Sequence, residues 1–344
     1  MRSKTRLLIA ISALVLILIA IACQKLEQNE IEDSENETTE LKNLQFSKEF
    51  DWQSTRIISL NFTSQSKQVI EVTSTDRTIN YHKGIINASE NKLIKISVPN
   101  SIKTLLINNE EYILSSDRIT INNFSFNTAQ HSKLNKVQNL TSDSDGDGII
   151  DSQDDFPNDP DKAFLNYFPA AGYGSLAFED LWPAKGDYDF NDLVVDYRFT
   201  TITNAQDYVV DIKASFVVKA SGAFYANGFG FNLPTSKSGI EADLSISGYS
   251  ILESYINLSG NGLEQSQSHP TVIVFDNIFN LLPHPGIGTG VNTETTAPFI
   301  PFETVDITLT PTQNTLIAND FNLVEWNPFI IVNMNRGVEV HLKD

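Results

Sequence analysis

The 344-residue chain carries 24 Lys and Arg against 43 Asp and Glu, a formal net charge of −19, with 41% hydrophobic and 19% charged residues. That apolar content can fill a core and excludes global disorder, and the length fits about two domains of roughly 100–200 residues. The acid excess excludes nucleic acid as a partner, because phosphate binding needs clustered Lys and Arg, and the single cysteine excludes a disulfide framework and a cysteine-based zinc site.

At the N-terminus, Arg2, Lys4 and Arg6 precede an apolar run from Leu7 to Ala22 that only Ser12 interrupts. The run is shorter than the roughly 20 residues that span a bilayer as a helix. A basic start, a short apolar stretch and small residues before a cut site describe a secretory signal. The segment Ile19-Ala20-Ile21-Ala22-Cys23 resembles a bacterial lipobox, with Ala20 where Leu is usual. The resemblance implies that residues 1–22 are removed and that Cys23 becomes the lipidated first residue, tied to the membrane through its lipid. An ordinary signal peptide or a short membrane anchor is the alternative. Loss of 1–22 takes away three basic and no acidic side chains, moving the charge from −19 to −22. Residues 23–45, rich in Glu, Asn, Gln and Thr, read as a flexible acidic tether.

Short alternating runs then dominate residues 46–130: Arg56–Phe62, Val69–Val72, Leu93–Val98, Thr104–Ile107 and Ile119–Ile121. They are rich in β-branched residues and broken by Asn, Ser, Gly and Pro, so they predict half-buried strands in a small β-sandwich. From Phe164 strand signals resume, at Val194–Thr200, Tyr208–Ala220, Ile251–Leu258, Thr271–Phe275, Val305–Leu309 and Phe329–Val332, with long loops at 233–248 and 283–301. The fold class predicted is all-β: two β-sandwiches, the second (164–344) of jelly-roll type, joined by an Asp-rich segment at 143–161.

Within that segment, residues 143–154 fit a twelve-residue calcium loop. Asp143, Asp145 and Asp147 stand at loop positions 1, 3 and 5, Gly148 at the sharp turn, the Ile149 carbonyl at position 7, Asp151 at position 9 and Asp154 at position 12. Asp154 replaces the bidentate Glu of an EF-hand and no amphipathic helices flank the loop, which points away from a calcium sensor. Through Asp155-Phe156-Pro157-Asn158-Asp159-Pro160 the run resembles a thrombospondin type 3 repeat, which implies folding around Ca²⁺. Eight Asp and one Lys in 143–162 would repel one another unless a divalent cation neutralised them. A solvated acidic linker is the alternative.

A second acidic constellation runs from Phe178 to Tyr197. In an extended chain Asp187, Asp189 and Asn191 share one face, and Tyr188 and Phe190 the other, so the aromatics are expected to anchor a strand in the core. Glu179, Asp180, Trp182, Pro183, Gly186, Asp187, Asp189, Phe190, Asn191, Asp192, Val194, Asp196 and Tyr197 match the signature of the LruC-domain family of bacterial lipoproteins, which the chain resembles over 164–344. The resemblance implies a cell-surface β-domain and a second metal site at Asp187, Asp189, Asn191 and Asp192. Turn chemistry, with Trp182 filling the core, is the alternative reading of these residues.

No Gly-x-Ser-x-Gly elbow is present, the five histidines have no metal-like spacing, and Gly286–Gly290 lies in a Pro-flanked loop where a phosphate cradle is not expected. The expectation is a non-enzymatic, lipid-anchored, calcium-stabilised protein of the bacterial outer membrane, facing the surface or the periplasm. A binding, adhesion or structural role is expected, with a glycan or a surface protein as partner. A calcium-dependent glycan-binding module or a carbohydrate-active enzyme in polysaccharide uptake is the alternative.

Overall fold

A computed structural model describes residues 54–124, 142–234 and 240–342. The lipobox with Cys23, the tether and residues 125–141 lie outside the described residues. The described residues form one compact unit.

The chain is all-β. In the first sandwich, β1 (Thr55–Ser64), β2 (Gln68–Thr73), β3 (Asn80–Ile86), β4 (Asn91–Pro99), β5 (Thr104–Ile107), β6 (Glu110–Ile113) and β7 (Arg118–Phe124) make two sheets, ordered β4-β1-β7 and β3-β2-β5-β6. The alternation in β1 puts Ile58, Leu60 and Phe62 inward, where they meet Ile94, Ile96 and Val98 of β4 and Val72 of β2. β3 and β6 were not singled out from the sequence. β3 carries His82, Lys83 and Gly84, which break its apolar pattern, and β6 is short and largely exposed.

The second sandwich opens with β8 (Phe164–Phe168), β9 (Gly174–Phe178), β10 (Leu193–Thr203), β11 (Val209–Ala220), β12 (Gly228–Asn232) and β13 (Leu244–Ser247). It closes with β14 (Thr271–Phe275), β15 (Glu303–Pro311), β16 (Asn327–Ile331) and β17 (Glu339–His341). A six-stranded sheet runs β13-β15-β11-β10-β8, with β9 also on β10, and faces a four-stranded sheet β14-β12-β16-β17. Their shared core is aromatic: Phe199, Phe216 and Phe231 surround Trp326, with Phe199 and Trp326 centroids 4.8 Å apart. Such edge-to-face packing adds to the area each ring buries.

The strand expected at Ile251–Leu258 does not form. Its apolar residues instead lie irregularly over the outer face of the four-stranded sheet, where Ile256 packs with Ile273, Phe329 and Ile331. The buried Asp276 carboxylate holds this segment by accepting the Leu252 and Glu253 N–H groups. A sheet covered on both faces has uniformly buried strands, which is why β14 has no alternation.

Several contacts join the sandwiches. Asn166 of β8 exchanges two hydrogen bonds with the Lys83 backbone of β3, at 2.7 and 2.8 Å. Lys95 of β4 pairs with Glu325 at 2.8 Å, and Lys92 of β4 pairs with Asp207 at 2.5 Å. A small core of Val69, Ile85, Ile149, Ala163, Phe164 and Ala205 draws on both sandwiches and on the Asp-rich segment between them.

Candidate metal and binding sites

The Asp-rich loop is fixed from below by Ile149, which is buried in that small core. Above it the carboxylates converge: Asp143, Asp145 and Asp147 each bring an oxygen to within 4.8 Å of the others. Asp143 accepts the Gly146 and Gly148 N–H groups at 2.8 and 3.0 Å, and both glycines take left-handed backbone, φ 81° and 94°. Asp151 turns away to close the loop on Ser144, accepting from its N–H and hydroxyl at 2.7 and 2.8 Å. Asp154 is buried, and its Oδ1 accepts the Phe156 N–H at 2.6 Å.

A cation is tested by what these oxygens lack. Asp145 Oδ2, Asp147 Oδ2 and Asp154 Oδ2 are all buried and have no hydrogen-bond partner. Buried carboxylate oxygens left unpaired are costly. Burial, with neighbouring carboxylate charges adding, raises the Asp147 carboxyl and pushes Asp154 up to about 6. The Lys67 ammonium lowers Asp147, but more weakly than burial raises it. A hard divalent cation with oxygen ligands fits this donor set. Asp143, Asp145, Asp147 and Asp154 would hold it, and it would supply charge neutralisation rather than reaction chemistry.

The second constellation is the loop that joins β9 to β10, whose strands pair from Leu193 and Phe178 onward. Here the structure corrects the expected strand. Residues 185–191 are not extended in a ladder; Tyr188 and Phe190 have positive φ, 59° and 54°. Neither anchors the core: Tyr188 is 48% exposed and Phe190 50%, and Trp182, read as core filling in the alternative, is 50% exposed. The physical reason lies underneath. Glu179 is buried and its Oε1 accepts the Phe190 N–H at 2.7 Å, and Asp192 Oδ2 accepts the Asp180 N–H at 2.8 Å. These inward carboxylates satisfy the loop backbone and leave its aromatics outside.

Of the four predicted ligands here, Asp187 and Asp189 come together, and with them Glu179; one oxygen from each lies within 4.8 Å of the others. Asn191 donates to Asp189, and Asp192 faces inward with its carboxyl pushed up to about 6, first by burial and then by Asp180 and Glu179. Glu179 is the cluster member that the sequence reading left out, since nothing in its spacing separates it from a turn carboxylate. Beside the loop, Asn227 donates to Asp180 at 3.0 Å, and the 222–227 connection adds exposed Phe224 and Tyr225. Trp182, Tyr188, Phe190, Phe224 and Tyr225 thus belong to two adjoining loops bordering one carboxylate cluster.

A cleft of about 800 Å³ lies apart from both constellations, between the sandwiches. Among its described lining residues the one carboxylate is Glu325, which Lys95 already pairs.

A family model described as a domain of unknown function (DUF4842) matches residues 207–344, the second sandwich from the β10–β11 turn onward. No curated protein matches the chain. Among solved structures, the chain is similar to a "Putative lipoprotein from Bacteroides ovatus" at 14% identity and a TM-score of 0.36, covering 84% of this chain and 72% of that one. That likeness is too distant to carry fold or function across.

Proposed function

We propose that this chain is an exported, lipid-anchored cell-envelope protein, stabilised by calcium in the loop 143–154, that binds a glycan through the loops 179–192 and 222–227. The lipid would be carried on Cys23, as the lipobox resemblance implies. The observation that carries the binding role is the exposure of Trp182, Tyr188 and Phe190 on a loop whose backbone two buried carboxylates hold in place. Exposed aromatics gathered on adjoining loops can mark a recognition surface, and left-handed non-glycine backbone commonly accompanies function. Flat rings beside polar acceptors suit a sugar, which offers an apolar ring face and hydroxyl edges. A second calcium at Glu179, Asp187 and Asp189 belongs to this reading, with open positions for ligand hydroxyls.

The enzyme alternative fits less well, because the large cleft lacks a second carboxylate among its described residues. A surface protein as partner is the competing binding reading. The deciding experiment is a glycan array probed with the full chain in calcium and in chelator, repeated with Trp182, Tyr188 and Phe190 all changed to Ser. Calcium-dependent binding that the triple variant loses is expected. Binding that the triple variant keeps would place the site elsewhere, and no glycan binding at all would favour the protein partner.

A further inference from the structure

Lys92 lies in the middle of the protein. Its side chain is 0% exposed, and its Nζ meets Asp207 Oδ2 at 2.5 Å across the junction of the sandwiches, with the Asp207 side chain 5% exposed. Asp207 occupies the β10–β11 turn with φ 71°, and its second oxygen, Oδ1, is buried without a partner. His82 of β3 lies nearby, close enough to feel the Lys92 charge. Its Nε2 is also buried and unpartnered. That nitrogen and Asp207 Oδ1 lie 3.0 and 4.0 Å from one point, where a Cβ on Gly84 would stand.

Desolvation opposes both charges of an ion pair so enclosed, and attraction offsets it only when the remaining polar atoms are satisfied. Here Asp207 Oδ1 is not. Burial holds the Asp207 carboxyl above its ordinary range despite the neighbouring Lys92. Burial and then the Lys92 charge push His82 down to about 3, so its imidazole is neutral and too weak a base to keep a proton, which suits it to relay one rather than hold it. Passing a proton from Nζ to Oδ2 converts the pair into an amine against a carboxylic acid, the form that burial favours. These are the reactants of amide formation, held in contact with their translational freedom already lost. With one cysteine in the whole sequence, the chain has no intramolecular disulfide to join its sandwiches.

We propose that Lys92 and Asp207 condense into an intramolecular amide that joins the two sandwiches covalently. The Nζ lone pair attacks Asp207 Cγ. His82 Nε2 takes a proton from the nitrogen and returns it to a hydroxyl on the tetrahedral carbon, and that oxygen leaves as water. One C–N bond forms, one C–O bond breaks, and nothing is oxidised or reduced. The product carries no charge, so two buried ions are replaced by one neutral amide. This inference is independent of the binding role proposed above.

The test is peptide mapping of the full wild-type chain, denatured and digested with trypsin. Trypsin does not cut after an acylated lysine. The expected product is a branched peptide joining 84–95 to 199–213, lighter by one water than its two halves together. Lys92→Arg should abolish it, and His82→Gln should lower the linked fraction at matched times after synthesis. Recovery from folded wild-type protein of only the linear peptides 84–92 and 199–213 at full mass overturns the proposal. So does a water loss that maps to Asp145-Gly146 or Asp147-Gly148, where a succinimide can form, with Lys92 cleaved normally.

Discussion

Replacing Asp154 by Asn separates a carboxylate cluster built for a cation from an acidic turn that needs none. Asn keeps the size of the side chain and an Oδ1 that can accept the Phe156 N–H, while removing the charge that faces Asp145 and Asp147. In the folded, metal-free chain the Asp154 carboxyl is pushed up to about 6, against 3.8 when unperturbed. A raised carboxyl means that folding favours the protonated form. The metal-free protein therefore loses stability as pH rises from about 4 to about 6, and at pH 7 that loss is complete. At about 1.4 kcal/mol per pKa unit the loss is at most about 3 kcal/mol, and solvent reaching the loop brings it to about 1–2 kcal/mol. In chelator at pH 7, Asp154→Asn should thus melt higher than wild type by about 2–8 °C, and at pH 4 the two should coincide. Calcium reverses the advantage's origin. At about 2 mM, with Kd of about 10⁻⁴–10⁻³ M, it should add roughly 0.6–1.8 kcal/mol to wild type and much less to the variant, so the gap narrows or closes. The assay is thermal unfolding followed by circular dichroism in each condition. A variant less stable than wild type in chelator would refute the reasoning, since the carboxylate would then be a structural cap and not a ligand awaiting a cation.

Other outcomes follow from the same contacts. Changing Asp187 and Asp189 to Asn should remove one bound calcium from a folded protein counted by equilibrium dialysis, whereas an unchanged count leaves those residues as turn formers. Gly222→Ala should cost about 1–3 kcal/mol in chemical denaturation, because its Cβ would stand 1.4 Å from Asn191 Oδ1 and 3.1 Å from the Asn191 carbonyl; a neutral result would mean that the two loops are not packed as described. Cys23→Ala should abolish metabolic lipid labelling, and labelling that survives rules out the lipobox. Wild-type protein in chelator should be cut by protease within 143–161 faster than in calcium, and equal resistance would show that Ile149 and its neighbours hold the segment without metal.

The sequence was most readable where one physical rule acted alone. β1, β4, β10 and β11 each bury one face, so period-two alternation identified them. In the loop at 143–154 the alternate spacing of Asp143, Asp145 and Asp147 does bring the three carboxylates together, and Ile149 turns its side chain into the small core instead. The 187–191 stretch shows the limit of the same rule. Alternating Asp and aromatic residues satisfy the strand pattern as well as a turn-rich loop, and the choice is made by Glu179 and Asp192, which bond to the backbone of the loop from inside. The density of turn-forming residues from Pro183 to Asn191 was the available counter-signal, and it outweighs alternation once a carboxylate is present to satisfy the loop's amides. Ile251–Leu258 failed for a related reason: apolar residues packing over a sheet's outer face need burial but no ladder, and composition alone does not separate the two.

What no local pattern could reveal is the meeting of Lys92 with Asp207, 115 positions apart. In sequence Lys92 is an ordinary polar position beginning an alternating strand, and Asp207 an ordinary turn residue after Asn204. Docking of β3 and β4 against the β8 side of the second sandwich encloses both, and enclosure changes their chemistry: a charge that water would stabilise must now be paired, neutralised or consumed. The same logic separates the two acidic constellations. Asp154 and Asp192 are each buried, each pushed up to about 6 and each accept one backbone N–H, yet only Asp154 keeps a second, buried oxygen with no protein partner. Buried carboxylate oxygens without partners are costly, and three of them, on Asp145, Asp147 and Asp154, gather in one loop. For that reason the proposed calcium is best supported in the loop between the sandwiches, while in the aromatic-rimmed loop Glu179 and Asp192 each already accept a backbone N–H.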